Sequence, residues 1–400
     1  MRAMTFSTHA RLGTRRTRRL AAVALTALAM TASACAADSG SGSGGDSIKL
    51  GIIVAETGPI AGAGKTFANG ARIAATEVND GNLMENGKTI QLVAKEGSED
   101  PAKSASVAAQ LAADKTIVGM ACCILSTVAG AAKPIADKQK IPLMLWGATE
   151  EGLAQPPYVY RTVTMPQPAN KKLAQTVAEE TGIKTVAYGI MTDNAGIVSQ
   201  AQSFIDGMDE SGVQDLGTVE TLSTTTNFTS SATDLIQKNA DAIVVSGTQS
   251  NAVGLIAALH DKGYDGQIVT GETVSGSGVF KSQPDALANV PFPVYFLADQ
   301  PANDAAQAFI DDYTAEYGEA PDGYAAQGYN AIYTLAMGLK AAGDDISREG
   351  LSKALEGMTD LDTIYGSVTF DGGQLNATSA VQIVNYTAPD GDIAAWQPAN

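Results

Sequence analysis

The sequence predicts an α/β fold of two lobes, each built on a parallel sheet. Short apolar runs rich in β-branched residues alternate along most of the chain with segments of helical periodicity. This alternation breaks at residues 158–165 and then begins a second time. The 400 residues, 44% of them hydrophobic and only 17% charged, are enough to bury a large core, and their number suggests two domains.

The first alternating series opens with a strand predicted at 48–55, a Gly-rich turn and a helix at 66–79. Further strands are predicted at 89–94, 116–120 and 142–146, separated by helices at 102–113 and 127–138. Strands that alternate with helices in this way form a parallel sheet with helices on both faces. The series therefore predicts the first lobe.

The second alternating series predicts strands at 185–190, 217–222, 242–246 and 267–270, with helices at 170–180, 198–209, 232–238 and 252–262. A strand at 295–298, helices at 302–317, 323–342 and 348–358, and a β-rich tail from Gly366 complete the chain. These last elements hold too few strands for a third sheet, so we expect them to return to the two lobes. Small molecules bind in the cleft between such lobes, at the carboxyl ends of the strands.

Residues 1–34 have the composition of an export signal. They hold six Arg and no acidic residue, an uncharged apolar run too short to span a bilayer, and small residues just before Cys35. This arrangement resembles a bacterial lipobox, in which the cysteine receives a diacylglycerol anchor, and an ordinary secretory signal is the alternative. Residues 35–46 predict a Gly/Ser tether. We expect a protein anchored to the outer face of the cytoplasmic membrane.

Composition and spacing argue against several function classes. Without the export signal, 20 basic residues stand against 43 acidic ones, so binding to nucleic acid through its phosphates is not expected. Three cysteines and two histidines are too few for a typical metal centre. The run GAGKT at 62–66 departs from a P-loop, because Gly58 lies six residues before Gly64 and not five. His260 lies on a predicted helix without a nucleophile motif, so we expect neither catalysis nor a cofactor.

Small polar groups follow predicted strands in the first lobe. Ser126 and Thr127 stand at a predicted helix start, where a hydroxyl caps backbone amides and free amides can hold a carboxylate. Gly147, Ala148 and Thr149 follow the next predicted strand and offer a carbonyl and a hydroxyl. A capping serine needs no ligand, so both interpretations of Ser126 stay open.

Two further features stand near predicted strand ends. Glu272 lies in the loop TGETVSGSG of the second lobe, where an acid beside glycine either reaches a ligand or meets solvent. Cys122 and Cys123 are adjacent in the run MACCILS. In an oxidising compartment they form a vicinal disulfide or stay as free buried thiols, and the sequence leaves both states open.

Five segments resemble the type I periplasmic binding proteins of the leucine/isoleucine/valine-binding family, which serve ABC importers. They are KLGIIVAETGPIAGAGKTFANGARIAATEVN, EDPAKSASVAAQLAADKTIVGM, STVAGAAKPIADKQKIPLMLWGAT, GYDGQIVTGET and GYAAQGYNAIYTLAMGLKAAG. The resemblance implies two Rossmann-like lobes joined by a three-strand hinge, with crossings near Thr164, Ala298 and Ser367. The first lobe would comprise 47–164 plus 299–366, and the second 165–298 plus 367–400.

The resemblance also implies a site for an α-amino acid. Ser126 and Thr149 match the family's clamp for the ligand carboxylate. Gly147 matches the residue whose carbonyl accepts from the ligand ammonium, and Glu272 matches the acid that pairs with the same ammonium. Charged hydrogen bonds of this kind are worth about 1.5–3 kcal/mol each.

The chain departs from the family where aromatic side chains usually surround the ligand. It has Ala63, Ala195 and Ser246 at such positions, keeps Tyr324, and offers Trp146 as a further wall or as a core residue. Fewer rings enlarge the pocket or admit polar side chains. We therefore expect an aromatic or larger polar amino acid as the ligand, or an amide, urea-like or aromatic-acid compound.

The partners follow from the same resemblance. We expect a monomeric, lipid-anchored solute-binding protein that closes about its hinge and presents its solute to ABC permease subunits. A sensor of the same fold that signals to a membrane receptor is the alternative.

Overall fold

The computed structural model describes residues 47–84, 87–276, 278–377, 381–389 and 391–398. The predicted signal over 1–34, the lipidation of Cys35 and the tether over 35–46 lie outside these residues. None of the helices in the described ranges combines the length and the apolar composition that crossing a membrane requires.

The described residues form fifteen strands. In chain order they are β1 (Ser47–Val54), β2 (Thr89–Glu96), β3 (Ile117–Cys122), β4 (Leu143–Leu145), β5 (Val159–Arg161), β6 (Thr185–Met191), β7 (Gln214–Thr221), β8 (Ala242–Ser246), β9 (Gln267–Thr270), β10 (Phe292–Val294), β11 (Asp360–Thr363), β12 (Gly366–Asp371), β13 (Gln374–Asn376), β14 (Gln382–Thr387) and β15 (Asp392–Ala395).

Twelve α-helices and one 3-10 helix, at Glu272–Val274, are described between these strands. The α-helices are α1 (Ala61–Asp80), α2 (Pro101–Ala113), α3 (Ser126–Gln139), α4 (Gln167–Thr181), α5 (Ala195–Glu210), α6 (Thr229–Ile236), α7 (Gln249–Asp261), α8 (Val279–Ser282), α9 (Pro284–Leu287), α10 (Asp304–Tyr317), α11 (Gly323–Ala342) and α12 (Arg348–Glu356).

The first sheet has eight strands in the order β11-β12-β13-β5-β4-β3-β1-β2. Strands β1 to β5 are parallel. The alternating pattern predicts β1 to β4, whereas β5 lies in the stretch where that pattern breaks. Helices α10, α11 and α12 pack on this sheet and share its core with α1, although they come more than a hundred residues later. The expected return of these late helices to the first sheet is therefore observed.

The second sheet is parallel throughout, with the order β7-β6-β8-β9. A third, antiparallel sheet of β10, β14 and β15, which the sequence pattern does not predict, packs into the same hydrophobic core. Because each of its strands is short, with only three to six residues, periodicity alone does not reveal it. The prediction of an α/β fold with parallel sheets is confirmed, although the first sheet is mixed, because β12 pairs antiparallel with β11 and β13 at one edge.

The predicted crossing near Ser367 is wrong in position. Ser367 lies inside β12, which pairs with β11 and β13 in the first sheet, and β13 pairs with β5 through Gln374 and Arg161. The hairpin turn at Gly372 and Gly373, both with positive φ, folds this segment back onto the sheet. The chain leaves the first sheet only after β13.

The Gly-rich run after β1 is a turn in its first half and helical in its second. Residues 57–60 form bends and a turn, with Gly58 at positive φ, and helix α1 begins at Ala61, five residues before the predicted start. A Cβ at Gly64 would lie 1.9 Å from the carbonyl oxygen of Ala55. The glycine therefore lets the helix pack directly against the end of β1, and this contact fixes the first wall of the site described below.

Candidate functional site

A cavity of about 70 Å³ lies where the carboxyl ends of the strands of the first and second sheets face each other. Its walls come from segments that follow β1, β3, β4, β5, β6, β8 and β9, together with the start of α11. The lining residues are Ile60, Ala63, Ile124, Leu125, Ser126, Gly147, Thr149, Val163, Pro166, Asn194, Ile197, Gln200, Thr248, Gln249, Glu272, Thr273, Tyr324 and Gln327. This position agrees with the cleft predicted from the order of strands and helices.

Six of the sequence-predicted residues line this cavity: Ala63, Ser126, Gly147, Thr149, Glu272 and Tyr324. They come from both sides of the cleft, although 209 positions separate Ala63 from Glu272 along the chain. The fold therefore brings the hydroxyl pair and the acid to one enclosed volume.

Ser126 lies on the first-sheet side and is 2% exposed. Its hydroxyl oxygen accepts hydrogen bonds from the backbone N–H groups of Thr149 and Glu150, at 3.2 and 3.1 Å. It therefore does not act as the helix cap that the sequence suggests, because α3 begins at Ser126 and its N-cap is Leu125, without a side-chain cap. The first-turn amides of α3 are left for solvent or a ligand.

The start of α5 packs on this hydroxyl pair from the opposite side. A Cβ at Gly196 would lie 2.3 Å from Ser126 Oγ and 3.0 Å from Thr149 Oγ1, so only glycine allows this approach. The Gln200 amide nitrogen donates to Thr149 Oγ1 at 2.9 Å. The elements of the two sheets are thus in direct contact at the end of the cavity that carries the Ser126 and Thr149 hydroxyls.

Glu272 lies on the second-sheet side, in the short 3-10 helix that follows β9. No described residue forms a hydrogen bond or an ion pair with its carboxyl group. Burial raises the pKa of Glu272 to about 8, and the nearby charge of Asp322 adds to the rise. A half-buried acid that has no cationic partner among the described residues is the arrangement that a ligand cation would complete.

Tyr324 borders the same region from α11. Its hydroxyl donates to the carbonyl oxygen of Thr273, the residue that follows Glu272, at 3.4 Å. Burial, and then the charge of Glu272, raises the pKa of the tyrosine. The phenol therefore stays neutral and serves as a wall and a hydrogen-bonding group.

Five predicted residues do not line the main cavity. Trp146 is 1% exposed and stacks on Phe67, with ring centroids 4.0 Å apart, so it is a core residue. Ala148 and Ser246 are buried, and Ser246 is still the last residue of β8, before the chain reaches the cleft. Thr127 and Ala195 line an outer groove instead; each follows a residue of the cavity lining, Ser126 and Asn194 respectively.

The site also contains polar residues that sequence reasoning missed, above all the glutamines Gln200, Gln249 and Gln327. Two of them had a readable signal. Gln249 begins a helix directly after a buried strand, as Ser126 does, and Gln327 lies three positions after Tyr324 on the same helix face.

The paired cysteines lie directly behind the site. Cys122 and Cys123 form a disulfide, and both side chains are buried. The carbonyl oxygen of Cys123 accepts from the N–H groups of Gly147 and Ala148, at 3.2 and 3.1 Å. This turn therefore holds the backbone of the segment that carries Gly147 and Thr149. Among the described residues no group of three or more His, Cys, Asp or Glu side chains could hold a metal ion.

Comparison with known proteins adds a family and a fold. The sequence model of a family described as periplasmic binding protein matches residues 47–392. The Leu/Ile/Val-binding protein homolog 1 of Brucella abortus (strain 2308) is 26% identical over 342 residues, which cover 82% of this chain and 88% of the relative.

Two solved structures are similar in fold. The leucine binding protein LivK from Thermotoga maritima MSB8 has a TM-score of 0.78 at 21% identity, covering 87% of this chain and 97% of its own. An ABC transporter solute binding protein from R. palustris in complex with 4-hydroxybenzoate has a TM-score of 0.77 at 20% identity. This match covers 87% of this chain and 95% of the R. palustris chain.

Proposed function

The chain belongs to the periplasmic binding protein family, and we propose that it captures an α-amino acid in the cavity between its two sheets and presents it to an ABC permease. The protein acts outside the cytoplasmic membrane, to which the lipidated Cys35 anchors it. The lobes are those predicted from the sequence, with the third crossing moved to the residues after β13. They close on the solute by a hinge motion.

The observation that carries this proposal is the pairing of unlike groups across one small cavity. Ser126, Thr149 and the uncapped start of α3 offer hydroxyl and amide donors to a carboxylate. Glu272 faces the same volume from the other sheet without a partner among the described residues. A zwitterion satisfies both ends at once, whereas an aromatic acid without an amino group would leave Glu272 unpaired.

Ligand binding favours closure because the ligand contacts both lobes only when they are together. The Gln200–Thr149 hydrogen bond and the contact of Gly196 with Ser126 already join the two sides in the structure. A bound solute adds its own contacts to this closed arrangement. The permease then recognises the closed form. No catalytic step is part of the proposal, so the solute is released unchanged.

A thermal-shift screen tests the proposal. The chain from residue 36 onward is heated with each common L-amino acid, with urea and short amides, and with benzoate and 4-hydroxybenzoate. A ligand at about 1,000 times its Kd adds roughly 4 kcal/mol to the free energy of unfolding, which raises Tm measurably. We expect a shift with one class of α-amino acid. A shift only with compounds that lack an α-amino group would contradict the assignment of Glu272 to an ammonium.

A further inference from the structure

We propose that the solute is an α-amino acid whose side chain ends in a carboxamide, and that Gln249 and Gln327 select it. This inference rests on the proposed function, because it assigns the side-chain end of the same cavity. It is carried by two amide groups that line the cavity without hydrogen-bond partners among the described residues.

Gln327 is the more deeply buried of the two amides. It lies on α11, one turn after Tyr324, and is 5% exposed. Its Oε1 is fully buried without a hydrogen-bond partner among the described residues. Leaving a buried amide oxygen unpaired costs about 1–3 kcal/mol of free energy. A ligand that donates a hydrogen bond to this oxygen recovers that cost, which favours its binding.

Gln249 approaches the cavity from the second sheet, as the first residue of α7. Its amide passes between two glycines: a Cβ at Gly276 would lie 2.1 Å from Nε2, and a Cβ at Gly62 would lie 3.4 Å from Oε1. No described residue hydrogen-bonds to this amide. Glycine at position 276 is therefore what gives the Gln249 side chain room to face the cavity.

A carboxamide matches this pair better than the other side-chain classes do. It carries two N–H donors and one carbonyl acceptor, so it can pair with one amide as donor and with the other as acceptor. An aliphatic side chain would bury both glutamine amides unpaired. A site built to hydrogen-bond a polar ligand rejects the apolar analogue strongly for this reason.

Charged side chains fit less well. The described residues of the lining include Glu272 but no Lys, Arg or His, so a side-chain carboxylate would meet no cation among them. A side-chain ammonium would compete with the α-ammonium for the same single acid. The apolar part of the lining, which includes Ile60, Leu125 and Ile197, suits the methylene groups of a neutral side chain.

The test is calorimetry on the purified protein after bound solute has been removed by unfolding and refolding. L-Glutamine and L-asparagine are compared with L-leucine, L-valine, L-serine, L-glutamate and L-lysine. We expect one of the two carboxamides to bind at least about tenfold more tightly than every other compound. Loss of one hydrogen bond to a buried amide changes Kd by about 5- to 150-fold.

Three variants assign the effect to residues. Gln327→Leu and Gln249→Leu should each weaken carboxamide binding at least about tenfold and leave leucine binding equal or stronger. Gln237→Leu is the matched control, because Gln237 is exposed and lies outside the cavity. If Gln327→Leu lowers Tm and fails to fold, Gln327→Met makes the same comparison with an unbranched side chain.

The outcomes separate the two proposals. Preference for leucine, valine, serine, glutamate or lysine overturns this inference while the proposed function stands. Carboxamide binding that survives in both glutamine variants also overturns it. If no α-amino acid binds, the proposed function itself fails, and the selection by Gln249 and Gln327 fails with it.

Discussion

The substitution Glu272→Gln removes the one carboxylate among the described residues of the cavity lining and keeps the shape of the side chain. In the proposed complex, this carboxylate accepts a charged hydrogen bond from the ligand ammonium. Such a bond contributes about 1.5–3 kcal/mol, so its loss should raise Kd by roughly 10- to 150-fold. The full effect is expected only where the wild-type carboxyl group is ionised before the ligand binds.

The pH dependence follows from the pKa of Glu272, which burial raises to about 8. Below that pH the ligand-free carboxyl group is protonated, and the ammonium can bind only after the proton has left. Each pH unit below 8 then costs about 1.4 kcal/mol, or a factor of ten in Kd. The Kd of the wild type should therefore fall about tenfold per unit from pH 6 to pH 8 and level off above it.

Titration calorimetry measures both quantities. At pH 8.5 the variant should bind at least about tenfold more weakly than the wild type, and near pH 6 the two should nearly coincide. In the wild type at pH 6.5, binding should release close to one proton, seen as a dependence of the heat on buffer ionisation. Equal affinities at pH 8.5, or a wild-type Kd that is flat from pH 6 to pH 8, would refute the assignment.

Three further predictions follow. Without ligand, Glu272→Gln should have the higher Tm at pH 9 and the same Tm as the wild type near pH 4. A raised carboxyl pKa stabilises the fold at pH values below the unfolded pKa of 4.5, and this stabilisation is lost as pH rises through the folded pKa of about 8. A Tm difference that stays constant with pH would contradict this prediction. Gly196→Val should weaken binding at least tenfold by pushing α5 away from Ser126, with small-angle scattering of the liganded variant showing the less compact form; full affinity would refute this closure contact. Alkylation of the denatured, unreduced protein should label neither Cys122 nor Cys123 by mass spectrometry, and two labelled thiols would contradict the disulfide.

Ser126, Thr149 and Glu272 reach one cavity because each lies within four residues of the end of a buried strand. The carboxyl ends of parallel strands meet at one edge of a sheet, so strand order alone brings such residues together. The family resemblance places Ser246 in the site, but Ser246 is the last residue of β8 and is buried. The sequence leaves Trp146 as a wall of the pocket or a core residue, and its stacking on Phe67 makes it a core residue.

Contacts between distant segments could not be predicted. Gln249 and Gln327 reach the cavity only because α7 and α11 converge there from different parts of the chain. The β12–β13 hairpin joins the first sheet through edges that a single sequence does not display. Strands this short carry too little periodicity to predict which strands they pair with. The sequence therefore places the third crossing near Ser367, earlier along the chain than the structure does.

The most direct test of the central claim is a crystal structure of the protein with its tightest-binding amino acid. In the proposed binding mode the ligand carboxylate lies within hydrogen-bond distance of Ser126 Oγ and Thr149. The ammonium lies within about 3.2 Å of a Glu272 carboxylate oxygen. A ligand bound outside this cavity, or bound in it with its ammonium away from Glu272, would contradict this binding mode.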